Sequence, residues 1–327
     1  MLRTPLCDLL RIDVPVIGAP FGPWDQVDLA AAVSEAGGLG SVGSVMRSVP
    51  ELRRQWERLR ARTDRPFAIN HTGRPFDPAV FDAILDFAPP VVSFHLAAPA
   101  GLVERAHGVG ALWMQQVMSV EQARRAIDLG ADVIVAQGGE AGGHGGRVST
   151  TVLVPQVVDI AGSVPVVAAG GFADGRGLLA ALAMGAQAVS MGTRFIASSE
   201  FSVNDEWKKM VVGATADDAV QTDAPEPIMP PYNTAEPWRG RGRMLRTAFV
   251  DTWEGRPEEM ADVAGDLSNA LFTAIRAGNG HEYFPYAGQS AGLVTEVLPV
   301  AQIVRRTISQ AEDALKLVES YRAVADA

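Results

Sequence analysis

Apolar and polar positions alternate along this chain in two rhythms. Short runs that are apolar at successive positions predict strands at Val14–Ala19, Gly38–Val42, Phe67–Asn70, Val91–His95, Leu112–Val117, Val133–Gln137, Val164–Ala169 and Ala188–Met191. Longer amphipathic stretches between them predict helices at Val27–Ala36, Pro50–Ala61, Pro78–Phe87, Gly101–His107, Val120–Leu129, Val152–Ala161 and Gly175–Met184. Strands apolar on both faces belong to a parallel sheet covered by helices. Eight such units within roughly the first 200 residues predict an α/β fold, a (β/α)8 TIM barrel. An open doubly wound sheet is the alternative.

From Ser198 the rhythm breaks. The segment Asp217–Arg243 is rich in Pro, Gly and charge and reads as an ordered excursion, neither strand nor helix. Two helices are expected near Pro257–Ala264 and Leu267–Arg276, and a closing helix over Val300–Ala325. The expected organisation is a barrel from residues 1–200 plus 291–327, with 201–290 as a lid or substrate-side insertion.

Composition narrows the function classes. With 28 basic and 38 acidic residues the net charge is −10, which disfavours nucleic acid and anionic membrane as partners. No apolar run is long enough to cross a bilayer, and the N-terminus carries no secretory h-region. Cys7 is the only cysteine, so neither an intrachain disulfide nor a cysteine metal cluster is expected. The histidines lack metal-ligand spacing, so no metal site is expected. A cytoplasmic enzyme fits, acting on a small-molecule substrate; whether it forms a homodimer is open.

The chemistry concentrates after the sixth strand, in Gln137-Gly-Gly-Glu-Ala-Gly-Gly-His144-Gly-Gly. Glycine at a strand end lets backbone approach a ligand, and imidazole transfers protons near neutral pH. This reads as a flexible mouth with one acid–base group. Two further glycine turns, Gly170-Gly171 and Gly192-Thr193, follow the seventh and eighth strands, where barrels hold phosphate. No Gly-x-Gly-x-x-Gly opens a helix after the first strand, and no Walker loop is present.

These residues, with Ala169-Gly-Gly-Phe-Ala-Asp-Gly-Arg-Gly177, Met191-Gly-Thr-Arg-Phe195 and Ala287-Gly-Gln-Ser290, resemble the nitronate monooxygenase family, once called 2-nitropropane dioxygenases. The resemblance implies a barrel holding one non-covalent FMN. It assigns cofactor contacts to Ala19, Pro20, Phe21, Asn70, Gln116, Gln137, Gly142, Gly143, Gly170, Gly171, Ser190, Met191, Gly192 and Thr193. It makes His144 the catalytic base that takes the α-proton of a nitroalkane, with O2 as acceptor and a carbonyl compound and nitrite as products. Where many relatives have Ala-Pro-Met, this chain has Ala19-Pro20-Phe21, followed by Trp24. Trp24, His95 and Gln289 form the expected substrate side. The same FMN-barrel group includes NAD(P)H-dependent reductases of quinones and enoyl thioesters, which is the second reading. A non-catalytic small-molecule-binding barrel is the third.

Other polar residues have plainer expectations. His95 packs at a strand end or meets substrate. For His71, directly after Asn70, a place on the rim is the lesser alternative; His107 lies on the surface and His281 belongs to the lid. Glu140 fixes a turn, and Asp174 caps the helix that follows it. Arg147 meets an anionic substrate group or is a solvated rim charge, two readings that stand equal. Tyr283, Phe284 and Tyr286 pack over the ligand or within the closing segment. Ser290 has no base partner and is no nucleophile.

Overall fold

The computed structural model describes residues 2–229 and 241–323. Its eight barrel strands are β1 (Val16–Gly18), β2 (Gly40–Gly43), β3 (Phe67–Thr72), β4 (Val91–His95), β5 (Leu112–Val117), β6 (Val133–Gln137), β8 (Val166–Ala169) and β9 (Ala188–Met191). A short strand β7 (Gly143–Gly145) lies between β6 and β8, and β10 (Ala219–Thr222) and β11 (Arg241–Leu245) follow. The eight-stranded sheet runs β1-β9-β8-β6-β5-β4-β3-β2, all parallel. Its two ends meet: Ile17 bridges Leu39, Leu39 N–H donates to Val16 O at 3.0 Å, and Gly18 N–H donates to Leu39 O at 2.9 Å. That closure makes a barrel and excludes the open sheet.

The predicted strands and helices lie within a few residues of the observed ones, because side-chain burial follows the same pattern that named them. Helix ends are fixed by local chemistry. Ser48 and Glu51 form a capping box on the helix Val49–Arg60. Asp77 caps Pro78–Phe87 and Asp174 caps Gly175–Ala183, each accepting two backbone N–H groups. Gly40 is obligatory by packing: a Cβ there would meet the Ala30 carbonyl oxygen at 1.9 Å, so β2 lies directly on the helix Val27–Glu35.

The barrel interior is its own core. Ile17, Leu39, Ala68, Val91, Met114, Val133, Val167 and Ala188 point inward and pack on Leu6, Cys7, Leu10 and Ile12. Three of these four come from the helix Pro5–Leu10, which the hydrophobic pattern left unassigned; it plugs the N-terminal end. Thr4 Oγ1 donates to Gln187 O at 2.7 Å and Leu6 N–H to Gln187 Oε1 at 2.9 Å, which pins the plug. Burial of each leucine is worth about 1.5–3 kcal/mol. With that end filled, the opposite mouth is left for a ligand.

Three expectations are corrected on the mouth side. Asp217–Arg243 is not free of strand: β10 and β11 pair antiparallel, and β11 pairs with β7, giving a sheet β10-β11-β7. Residues 230–240 of that segment lie outside the described residues. The Gln137–Gly146 mouth is therefore a paired strand at Gly143–Gly145, not a flexible loop. The two helices expected after Arg256 are one, Pro257–Arg276, since Gly265 is tolerated within it with no neighbour to meet. The closing helix runs Val300–Ala323, and its expected last residues lie outside those described. No helix among the described residues is long and apolar enough to cross a membrane.

Candidate active site

The barrel mouth holds a cavity lined by strand ends and by residues from the 275–290 stretch. Ala19, Pro20, Phe21, Trp24, Asn70, His95, Gln116, Gln137, Gly142, Gly143, His144, Gly170, Gly171, Ser190, Gly192 and Thr193 all line it. Met191 and Gln289 do not. Met191 is fully buried in the core between barrel and helices, since strand alternation turns it away from Ser190 and Gly192. Gln289 donates its backbone N–H to Glu140 O at 2.9 Å, and its neighbour Ser290 reaches the cavity instead.

His144 is held from every side. Its backbone pairs with Gly242 of β11, and its carbonyl accepts from Gln137 Nε2 at 2.8 Å. Gln137 Oε1 accepts in turn from Gln116 Nε2. The imidazole Nε2 lies 3.0 Å from Arg74 Nη1. A guanidinium only donates, so Nε2 is the acceptor, the ring is neutral and its proton sits on Nδ1. Burial, then the charge of Arg74, holds the His144 pKa well below the usual imidazole value.

Arg74 is the main site residue that sequence reading missed. It is only 9% exposed and lines the cavity, and it forms an ion pair with Glu226 at 2.9 Å. Glu226 also lies 3.8 Å from His144 Nε2, and burial raises its pKa. The Tyr286 ring lies 5.8 Å from that of His144, tilted by 49°, and burial raises its phenol pKa, so it remains a hydrogen-bond donor. The one signal for Arg74 was a charge in the loop directly after a barrel strand, in Thr72-Gly-Arg74-Pro. Its partners lie 70 and more residues away in sequence.

His95 sits at the end of β4 with its ring 6.1 Å from that of His144. Burial lowers its pKa to about 4. Its Nε2 is buried without a hydrogen-bond partner among the described residues, and the residue is part of the cavity wall. An orphaned buried nitrogen at a cavity wall is placed to meet a ligand.

The glycines divide into two groups. Gly143, Gly171 and Gly192 leave room: a Cβ would find nothing within 4 Å at Gly143 and only ordinary contacts at the other two. Side chains at Gly171 and Gly192 would narrow the cavity they line, whereas a Cβ at Gly143 stands in open space. Gly142 is tight instead, with a Cβ meeting the Ala287 carbonyl carbon at 2.5 Å. Gly170 and Gly171 have φ of 96° and 86°, the left-handed turn that glycine accommodates. Bare surfaces at Gly171 and Gly192, beside Ser190 and Thr193, suit a flat ligand with an anionic tail. Thr193 Oγ1 accepts from Gly288 N–H at 2.8 Å, locking the 287–290 turn over that end.

The remaining polar residues are structural. Glu140 accepts from Thr150 N–H and Oγ1, fixing the glycine turn as expected. His71 does not reach this cavity. It accepts from Asp77 N–H at 3.2 Å and its Nδ1 meets Ser44 Oγ at 2.7 Å. His107 pairs with Asp132 at 2.8 Å on the surface. His281 is buried in the segment before Tyr283.

Comparison with known proteins agrees with this architecture. The nitronate monooxygenase family model matches residues 3–79 and 71–310. An octahydro-1H-indene-4-carboxyl-CoA dehydrogenase of Mycobacterium tuberculosis is 40% identical over 256 residues, covering 77% of this chain and 69% of the relative. A nitronate monooxygenase of Pseudomonas aeruginosa is 34% identical, covering 92% of this chain and 97% of its own. FabK from Thermotoga maritima superposes with a TM-score of 0.86 at 34% identity, covering 98% of this chain and all of that one. A family match that spans both the strand-end glycines and His144 leaves one assignment: this chain belongs to the nitronate monooxygenase family of oxidoreductases.

Proposed function

We propose that this protein is an FMN-dependent oxidoreductase that oxidises alkyl nitronates and their parent nitroalkanes, with His144 as the base. The observation that carries this reading is the neutral, Nε2-accepting His144 at a glycine-walled cavity. The residues fit the cofactor: Gly171, Ser190, Gly192 and Thr193 would hold the phosphate and ribityl chain. Asn70, Gln116 and Gln137, with backbone at Ala19–Phe21, would flank the ring. FMN, when bound, supplies the electron-accepting chemistry and O2 is the final acceptor. The products are a carbonyl compound and nitrite.

The protein's own residues do the rest. Nitroalkanes are carbon acids whose conjugate base carries its charge on two oxygens. Arg74 offers a bidentate donor to such a pair, and it can release Nε2 of His144 as it turns to the substrate. The freed nitrogen takes the α-proton. Glu226 retains Arg74 at the site, and His95 Nε2 is a further donor toward substrate oxygen. Trp24, Met229, Ile275 and Phe284 form an apolar wall for the substrate's carbon body. Purified protein should be yellow, and a nitronate should bleach its flavin in anaerobic titration. A protein that takes up no FMN, or whose flavin is inert to nitronates, would sink the reading.

A second reading keeps the cofactor and changes the substrate: an NAD(P)H-dependent reductase of a quinone or an enoyl thioester. What favours it is the relative at 40% identity, which is named for a carboxyl-CoA substrate. Arg74 would then hold a thioester oxygen. Anaerobic bleaching by NADH or NADPH, with no response to nitronate, selects it.

A further inference from the structure

A second cavity lies against the first, and its chemistry is different. Pro23, Val45, Met46 and Ile275 line both. Beyond this shared wall the groove is lined by four arginines: Arg47, Arg54, Arg58 and Arg276. Arg54 and Arg58 stand one turn apart on the helix Val49–Arg60, on one face of it. Arg276 ends the helix Pro257–Arg276, so the groove is walled by barrel on one side and by the later segment on the other.

The acidic residues in the groove are already engaged. Asp25 pairs with Arg58 at 2.7 Å. Glu51 accepts from Ser48 N–H at 2.8 Å within its capping box. Asp77 caps the helix that follows it. Arg47 donates to two neutral acceptors, Gln55 Oε1 and Pro23 O. Among the described residues no ion pair involves Arg47, Arg54 or Arg276. The four arginines outnumber Asp25, Glu51 and Asp77 by one, and Glu51 also feels the charges of Arg54 and Arg47, so the groove is positive by a single charge in a chain whose net charge is −10.

We infer that this groove binds the phosphorylated arm of an adenine nucleotide whose reactive end enters the neighbouring cavity. Guanidinium groups suit phosphate because their donors match its oxygens in pairs. An isolated inorganic anion would need no second cavity. The shared wall at Pro23, Val45, Met46 and Ile275 is apolar, as the linking part of a long ligand requires. Two molecules carry this chemistry, coenzyme A in a thioester substrate and NADPH as a reductant. A simple nitronate would leave the groove empty. The inference rests on the first cavity, the one His144 lines, being the redox site, and not on which substrate is turned over there.

The test uses the full chain loaded with FMN, so that the phosphate cradle of the barrel is already filled. Coenzyme A, NADPH and inorganic pyrophosphate are titrated separately by calorimetry, on the wild type and on the Arg54→Gln/Arg276→Gln variant. Both substituted residues are exposed, so the fold, flavin absorbance and nitronate turnover should stay as in the wild type. Binding of either nucleotide is expected, weakened roughly tenfold or more in the variant. It should also weaken as salt rises from about 50 to 300 mM. Tighter binding of coenzyme A identifies a thioester substrate, and tighter binding of NADPH a nicotinamide reductant. If no probe binds, or if the variant binds as the wild type does, the inference is overturned. If the wild type takes up no FMN, the redox reading fails, and the groove is then decided by whether Arg54→Gln/Arg276→Gln weakens pyrophosphate binding to that protein, since neither residue lines the barrel cradle.

Discussion

Arg74 Nη1 stands 3.0 Å from Nε2 of His144, and the direction of that hydrogen bond is fixed because arginine cannot accept. The imidazole is neutral before any substrate arrives. Its pKa lies well below the ordinary value, first through burial and then through the Arg74 charge. A base must be unprotonated to work, so activity should be flat through neutrality and fall only as pH drops through the lowered His144 pKa. Arg74→Ala removes the second of three causes, burial and the nearby His95 remaining, and should move that acid limb upward. It should also lower kcat/KM about 100-fold through loss of a donor to the substrate oxygens. A pH–rate profile of the two proteins checks both. An acid limb that stays in place would mean that Arg74 does not set the state of His144.

His144→Gln tests the base itself. Its backbone is held by Gly242 and by Gln137 Nε2, neither of which depends on the ring. The variant should therefore fold and keep its flavin absorbance. Turnover of nitroalkanes should fall by about 10²–10⁴, the usual worth of a positioned base. Preformed nitronate needs no deprotonation and should lose much less. Equal losses on both substrates would assign His144 to binding alone.

What was legible in the sequence followed from periodicity. Val133–Gln137 and Ala188–Met191 are apolar on both faces, and a strand so patterned has few places to go except a covered parallel sheet. The glycine turns were legible from residue type: the φ of Gly170 and Gly171, 96° and 86°, is one that glycine adopts far more readily than any residue with a Cβ. The strand β7 was not legible, because Gly-His-Gly has no strand propensity and exists only through pairing with β11. Arg74 was not legible either. A lone arginine in a loop carries no sign of Glu226 or His144, and only closure of the barrel and return of the later segment bring the three together. Met191 shows the opposite error, a motif residue whose side chain alternation sends into the core.

His71 gives a stability prediction with a definite sign. It is buried, its Nε2 accepts from Asp77 N–H, and burial lowers its pKa to about 4. The unfolded value is near 6.5, so between these limits the unfolded chain binds more protons than the folded one. Stability is fully present above the unfolded value and is lost as pH falls from about 6.5 to 4, by on the order of 3 kcal/mol for this one group. His95, also lowered to about 4, adds a similar slope. Chemical denaturation across this range should show the decline, and His71→Asn should flatten part of it. A decline of unchanged steepness in that variant would place the linkage elsewhere.

Gly142 and Gly288 approach each other so closely that neither tolerates a side chain. A Cβ on Gly142 would meet Gly288 N at 2.6 Å, and one on Gly288 would meet Gly142 N at 2.7 Å. The contact joins the glycine turn before His144 to the turn that Thr193 holds over the cavity. Gly142→Ala must therefore push residues 287–288 outward. It should cost about 1–3 kcal/mol and weaken FMN retention, because Thr193 loses its tie to Gly288. Gly143→Ala is the control. Its φ of 73° strains an alanine by about 1–2 kcal/mol, yet a Cβ there meets nothing within 4 Å. Both variants should melt early in thermal scans, while only Gly142→Ala should release flavin more readily on dilution. Equal flavin loss from the two would show that backbone strain, and not the approach of the two turns, governs the cofactor site.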